Sequence, residues 1–223
     1  MSLKKQEKDI PIRTKNLKNM KRFFILAFFI PLLLPSCQPG KSAVQKYMTI
    51  EFPTQKQFSD SLSVLPYNVE IKDVDVYPAL ETHQIAIREK PHQLRYFTNN
   101  QWAVRLDKAL TQYLLDYYQR NPIFELTANR YWTTTPEFQI STFVYNVEVR
   151  EEKKDFLAYL HVDFKLIDTA SKEVVTSHTA ENTRLLSKRD LNLFAGAIND
   201  MFFEELHYFA QKGWFELSDN KNR

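Results

Sequence analysis

The sequence predicts an α+β fold, a single domain with a mixed, mostly antiparallel sheet packed by two long helices. Residues 156–166 carry apolar side chains at alternate positions, and residues 138–150 do so with a slip near Thr142, which is typical of half-buried strands. Residues 100–121 and 191–212 repeat apolar residues at intervals of three and four, the spacing of an amphipathic helix. About 185 residues follow an apolar N-terminal run, which is the size of one domain.

The first half of the domain begins with three predicted strands. Residues 67–77 start with alternating apolar positions that change phase at Lys72-Asp73, which predicts a strand interrupted by a bulge. Ile85 and Ile87 mark a second strand, and residues 94–96 mark a third that pairs with it across a short turn.

The first helix is predicted to begin at Asn100, with Asn99 or Asn100 as its cap, and to end at Asn121-Pro122. Trp102 opens the apolar stripe of this helix and is expected to be buried against the strands. A short strand is predicted after the helix, at residues 123–126.

The second half is predicted to hold a long antiparallel hairpin. Its two strands are joined by a charged turn at residues 151–155, and a turn at residues 168–171 leads into another strand, 174–182. Ser187-Lys188-Arg189-Asp190 has the pattern of a capping box, which predicts the start of the second helix at Leu191.

The N-terminal segment has the pattern of a secretory signal. Lys21 and Arg22 precede an apolar run that is short for a transmembrane helix and ends in Leu34-Pro35-Ser36-Cys37. These four residues resemble a bacterial lipobox, in which the chain is cut between Ser36 and Cys37 and the cysteine carries lipid. The alternative is that Cys37 is a buried thiol in a cytosolic protein, but this leaves the basic and apolar residues before it unexplained.

We therefore expect residues 1–36 to be a lipoprotein signal peptide, with Met20 as an alternative start. Residues 37–46 are expected to be a lipidated tether that spaces the domain from a bilayer.

Composition excludes several classes of function. Residues 1–36 hold eight Lys or Arg and two acids, so 22 bases and 25 acids remain, without a basic stripe for nucleic acid. The only cysteine is the predicted lipid site, which leaves none for a disulfide or a cysteine zinc site. With three glycines, the sequence lacks phosphate-binding and dinucleotide-binding loops. The lipid on Cys37 is the one cofactor expected.

The order of motifs from Val74 to Arg88, then at residues 94–97 and at Trp102-Ala103, resembles that of a known family. The family is the ABC-type transport auxiliary lipoproteins, the PqiC-like partners of mammalian-cell-entry (MCE) lipid-transport systems. The positions that match its motifs are Tyr77, Leu80, Ile85, Arg88, Tyr96 and Trp102.

The resemblance assigns residues 47–217 to the family domain and 218–223 to a polar tail. Glu81-Thr82 replaces the usual Asp-Arg after the leucine, and Val104 replaces an acid after Trp-Ala. We therefore do not carry over to this chain the contacts that those family side chains make.

The resemblance implies a non-enzymatic lipoprotein anchored in the outer membrane on its periplasmic face. Its partners would be an MCE-domain protein, an ABC transporter complex that moves lipids, and other copies of the chain as a homo-oligomer. Gln38, instead of Asp, after the lipidated cysteine agrees with outer-membrane sorting. Two alternatives stay open: a generic envelope assembly or stability lipoprotein, and a periplasmic enzyme.

Tyr131 and Trp132 are the candidate partner interface. They lie in a polar, proline-bounded connection beside Arg130, and loop aromatics beside arginine are common interface anchors. The alternative is that Trp132 folds back over the helix and the sheet, since tryptophan is mostly buried.

His161 and Asp163 share one strand face without an identifiable third ligand, so no metal site is predicted, and no catalytic residue is predicted either.

Overall fold

The computed structural model of the protein describes residues 44–53, 62–131 and 133–221. The predicted signal peptide, Ser36, Cys37 and Trp132 lie outside the described residues. Within them the elements are β1 (Lys46–Met48), β2 (Leu65–Ile71), β3 (Asp75–Val76), a short 3-10 helix (Pro78–Leu80), β4 (Gln84–Lys90), β5 (Gln93–Trp102), α1 (Leu106–Arg120), β6 (Phe124–Ala128), β7 (Phe138–Glu152), β8 (Asp155–Asp168), β9 (Val174–Leu185) and α2 (Leu191–Lys221).

The long hairpin of β7 and β8 forms the centre of the sheet. The two strands pair antiparallel from Phe138 opposite Asp168 to Glu152 opposite Asp155, and β9 continues the sheet beside β8. The predicted turns are confirmed: Lys153 adopts a φ of 58° between β7 and β8, and the Asp168 carboxylate accepts hydrogen bonds from the backbone of the turn that follows.

The other edge of β7 is shared by β2, β3 and β4, which pair with it one after another in parallel. Ile71 lies opposite Ile140 and Asp75 lies opposite Phe143. The segment from β2 to β3 therefore advances by four residues where β7 advances by three. This extra residue confirms the predicted bulge. The ladders make the sheet mixed, and the predicted α+β fold class is confirmed.

Both helices pack on the same face of the sheet and on each other. Tyr113 of α1 contacts Phe202 of α2 with ring centroids 5.2 Å apart, and Phe209 of α2 stacks on Phe164 of β8 at 5.3 Å. The buried apolar residues form one contiguous core between Ile50 and Leu217. This part of the chain therefore has the core of an independently folding domain.

The predicted start of the first helix is wrong. Asn100 to Trp102 are the end of β5, where they pair in parallel with β1, and α1 begins at Leu106 without a side-chain cap at Arg105. The sheet takes these residues because their backbone groups find partners there: the Trp102 N–H donates to the His83 carbonyl at 2.6 Å. Trp102 is buried as predicted, but against Phe194 of α2, at a ring distance of 5.9 Å.

The second helix begins at Leu191 as predicted, but its capping residue and its C-terminal end differ from the prediction. Asp190, not Ser187, caps it, since the Asp190 carboxylate accepts the Asn192 backbone N–H at 2.8 Å. At the other end the helix continues past Lys212 to Lys221, into the predicted polar tail. The extension is stabilised because Leu217 is buried and the Trp214 indole donates to the Ser63 carbonyl at 2.7 Å.

Candidate docking surface

The face of the sheet opposite the helices carries a network of charged side chains around Glu148. The Glu148 side chain is 1% exposed, and Arg88 donates to both of its oxygens, from Nε at 2.7 Å and from Nη2 at 2.9 Å. Arg150 donates to the same carboxylate at 3.0 Å. The register of β4 and β7 places these residues together, because Ala86 lies opposite Glu148 and Arg88 opposite Arg150. The bidentate bond to Glu148 raises the pKa of Arg88.

The network extends across the hairpin to β9. The Arg150 guanidinium lies 3.1 Å from the centroid of the Tyr159 ring on β8. The Tyr159 hydroxyl donates to Glu181 on β9 at 2.5 Å, and burial together with this bond raises the pKa of Tyr159. Side chains thus join four strands on a face that no helix of the described residues covers, which we call the helix-free face.

Beside this network lies an aromatic cluster, which we define as Tyr77, Phe143, Tyr145 and His161. Tyr145 is the extra residue of a bulge, since Val144 lies opposite Val162 but Asn146 lies opposite His161. The Tyr145 ring is 4.6 Å from Phe143 and stacks on His161 at 4.5 Å.

The cluster faces solvent. Tyr145 is 38% exposed and Tyr77 is 54% exposed. The Tyr77 backbone N–H donates to the Val144 carbonyl at 2.8 Å, which places it beside the bulge. Large rings that are ordered and exposed on one face are typical of a protein-binding surface.

His161 and Asp163, the pair weighed as metal ligands, already have protein partners. Asp163 accepts a hydrogen bond from the Thr179 hydroxyl on β9 at 2.6 Å. It also pairs with Lys165, on its own strand β8, at 3.0 Å. The bond to Asp163 raises the pKa of Lys165. Among the described residues, no group of three or more His, Cys, Asp or Glu side chains is arranged to hold a metal ion.

The family-motif residues occupy three different environments. Leu80, Ile85 and Trp102 are buried in the core. Tyr96 fixes the 3-10 helix, because its hydroxyl donates to the Ala79 carbonyl at 2.8 Å. Arg88 and Tyr77 belong to the helix-free face described above.

Tyr131 lies at a separate place, near the edge formed by β2 and β6. Its hydroxyl donates to the Leu126 carbonyl at 2.9 Å and contacts the Val69 carbonyl at 3.4 Å, and burial raises the pKa of Tyr131. Among the described residues, no hydrogen bond or ring contact joins Tyr131 to the aromatic cluster. The role of Tyr131 and Trp132 in binding stays a prediction.

The aromatic cluster was not found by sequence reasoning. The sequence signal for it is the slip in the alternation of residues 138–150, which is predicted near Thr142, whereas the bulge lies at Tyr145. Tyr77 and His161, the other members of the aromatic cluster, are brought to β7 by strand pairing between segments that are far apart in the sequence.

The fold places the protein in a class of α+β domains with two helices on one face of a mixed sheet. The chain belongs to the family of ABC-type transport auxiliary lipoprotein components, whose sequence profile matches residues 49–202. Comparison with curated proteins gives no match.

Two solved structures share the fold. Protein XCC0632 from Xanthomonas campestris is 13% identical, with a TM-score of 0.65 over 81% of this chain and 99% of that chain. An uncharacterized protein, also 13% identical, has a TM-score of 0.60 over 76% of this chain and 98% of its own. None of the helices in the described residues has the length and apolar character to cross a bilayer.

Proposed function

We propose that the protein is a non-enzymatic lipoprotein, anchored in the outer membrane on its periplasmic side, that docks onto an MCE-type ABC system for lipid transport. The family gives the coarser role, an auxiliary component of ABC-type transport. The lipid system and the membrane are inferred from the motif order and from Gln38 after the predicted lipid site.

The observation that carries the docking role is the aromatic cluster on the helix-free face. Aromatic residues dominate binding energy in protein interfaces, where they fill pockets of the partner. Ring contacts order three members of the cluster, Phe143, Tyr145 and His161, and the cluster lies beside a side-chain network that joins β4 to β9. A surface that is already rigid loses little conformational entropy when the partner binds.

The test is affinity capture of the lipidated protein from membranes, with the recovered proteins identified by mass spectrometry. Wild-type protein is expected to recover an MCE-domain protein and an ABC ATPase. The double variant Tyr77→Ala, Tyr145→Ala is expected to recover at least about tenfold less, because each lost anchor removes a hot-spot contact.

Tyr208→Ala is the matched control, since Tyr208 is 55% exposed but lies on α2. Thermal melting of each variant checks that the fold is retained. Equal recovery by the double variant and the wild type would contradict docking through the cluster. Loss of recovery in Tyr131→Ala and Trp132→Ala alone would move the interface to the loop predicted from the sequence.

A further inference from the structure

Strand β9 forms an edge of the sheet on its side away from β8. It runs over 12 residues, Val174–Leu185, and within the described part of the chain its backbone pairs with β8 alone. A long edge strand presents a row of unpaired N–H and carbonyl groups, to which a further strand can add. β9 contains neither proline nor lysine, the residues that commonly protect such an edge.

Two hydrogen bonds show which backbone groups of β9 point away from β8. The Leu186 N–H donates to the Phe156 carbonyl at 2.9 Å, so this pair is a hydrogen-bonded pair of the antiparallel ladder. Because such pairs alternate, the even-numbered residues of β9 bond to β8 and the odd-numbered ones point outward. The Lys212 ammonium donates to the Ser177 carbonyl at 2.9 Å, which agrees with an outward position of this carbonyl. The outward residues are Ser177, Thr179, Glu181 and Thr183.

The charged side chains of β9 are engaged within the chain. Glu181 accepts the hydrogen bond of the Tyr159 hydroxyl, and Arg184 pairs with Glu204 of α2 at 3.0 Å. Charged residues on an edge strand can keep another strand away. Here each charge lies beside a group of its own chain that partly neutralises it or bonds to it, so the edge stays open to a strand without a like charge at the same place.

Both ends of β9 expose an apolar side chain. Val174 is 50% exposed and Leu185 is 64% exposed. If Ala180 lies opposite Ala180 of a second, antiparallel copy of β9, then Leu185, five residues after it, lies opposite Val175, five residues before it. The two exposed ends of each strand would thus be covered by the ends of the other, which removes apolar surface from water.

Other registers fit less well. A register centred on Glu181 would place two carboxylates directly opposite each other, and like charges in that position are destabilising. A register centred on Thr179 would place Leu185 opposite Glu173, which precedes the strand. With Ala180 at the centre, Thr179 faces Glu181 and no two like charges are directly opposite.

The charges of α2 beside β9 match in the same register. Asp200 and Glu204 flank Arg184 near one end of β9, and Lys212 reaches Ser177 near the other end. Because Ser177 would lie opposite Thr183 of the second copy, Lys212 would approach the group of two acids and one arginine beside it. This group has a net negative charge, so the contact is attractive.

We infer that the protein forms a two-fold symmetric homodimer in which β9 pairs antiparallel with β9 of a second copy. The four outward residues of each strand then exchange about eight backbone hydrogen bonds, and the two sheets become one continuous sheet. The symmetry axis is perpendicular to this sheet, so both helix-free faces lie on the same side. The inference assigns an interface to the homo-oligomer that the family resemblance implies, and it does not rest on the docking proposal.

The first test is disulfide crosslinking in purified residues 38–223, which contain the whole core and no cysteine. Ser177→Cys and Thr183→Cys proteins with different tags are mixed and oxidised. A disulfide between the two variants is expected as the main product, because these positions lie opposite each other with Cα atoms about 5.5 Å apart. Either variant alone is expected to crosslink little, since its two thiols would be six residues, or roughly 20 Å, apart along the strands.

Thr183→Cys mixed with Ser171→Cys is the matched control, since Ser171 is exposed in the turn before β9. Equal crosslinking in this control and in the mixture with Ser177→Cys would overturn the inference. So would crosslinking of Thr183→Cys in intact cells to a different protein alone, which would assign the edge of β9 to a foreign strand.

The second test is sedimentation equilibrium of Thr183→Pro. This variant is expected to self-associate at least about tenfold more weakly than the wild type, because proline removes an N–H that donates across the interface. The same N–H points away from β8, so the sheet of each copy keeps its bonds and thermal melting should show a retained fold. Thr183→Ala is the control and is expected to associate as the wild type does. A wild type that sediments as a monomer at every concentration, or unchanged association of Thr183→Pro, would contradict pairing through β9.

Discussion

Glu148 is the side chain on which the helix-free face depends. A carboxylate with 1% exposure is stable only when hydrogen-bonded charges surround it, and here Arg88 and Arg150 both donate to it. Both arginines remain partly exposed, so the cost of their own desolvation is smaller. The arrangement holds β4 against β7 at the point where the family-motif arginine lies.

Glu148→Gln is expected to lower the free energy of unfolding by about 2–4 kcal/mol, because two guanidinium groups lose their shared anion while the shape is kept. Chemical denaturation measures this loss. Glu89→Gln is the control, since Glu89 and its partner Arg95 are both partly exposed and such pairs contribute below about 1 kcal/mol. Equal losses in the two variants would contradict a buried role for Glu148.

Asp73 is expected to give a measurable pH dependence. Hydrogen bonds from Asn129 at 3.0 Å and from Lys108 at 3.1 Å lower the pKa of Asp73 below its ordinary value. Because the folded state favours the charged form, the stabilisation is fully present above the unfolded pKa, near pH 4, and is lost as the pH falls through the folded pKa.

The check is the difference in melting temperature between wild type and Asp73→Asn as a function of pH. The difference is expected to be small, since the group is half exposed, and to shrink below about pH 4. Asp75→Asn, at an exposed position on β3, serves as the control for charge removal. A difference that grows as the pH falls would give the wrong sign and contradict the assignment.

At the scale of elements, periodicity predicted what is local and missed what depends on pairing across the chain. The β7–β8 hairpin and α2 follow from their own apolar patterns, because each pattern is long. Trp102 has helical spacing with Leu106, yet it lies in β5, because pairing with the three-residue strand β1 decides its backbone. The aromatic cluster stayed hidden for the same reason: its register is set by a bulge rather than by alternation.

Helix α2 offers a test of local propensity. Gly196 lies within this helix, and a Cβ added there would meet no atom within 4 Å. Gly196→Ala is therefore expected to stabilise the domain by roughly 0.5–1 kcal/mol, because alanine loses less backbone entropy in a helix. Denaturant unfolding measures the gain. Ala197→Gly, at a buried position next to it, should do the reverse, and a gain there would contradict the reasoning.

At the scale of the whole molecule, the sheet has one face packed by α1 and α2 and one face that the described helices leave open. The helix-free face carries the aromatic cluster and is proposed to dock a transport partner. The partner is therefore expected on the side of the sheet away from α1 and α2.

Membrane attachment is expected to depend on Cys37 alone. Cys37→Ser removes the thiol that would carry the lipid, so the protein should lose its acyl chains and leave the membrane fraction. Fractionation with mass spectrometry of the N-terminus measures this. Wild-type protein without acyl chains, or a variant that still partitions with membranes, would contradict the lipobox interpretation.

The most direct test of the account is site-specific photocrosslinking in intact cells. A photoreactive benzoylphenylalanine is placed either at position 145, in the aromatic cluster, or at position 208, on the exposed surface of α2. Position 145 is expected to give one covalent adduct with a subunit of an ABC-type transport system, and position 208 is expected to give none. An adduct at position 208 alone, or an adduct at position 145 only with proteins unrelated to transport, would contradict docking through the helix-free face.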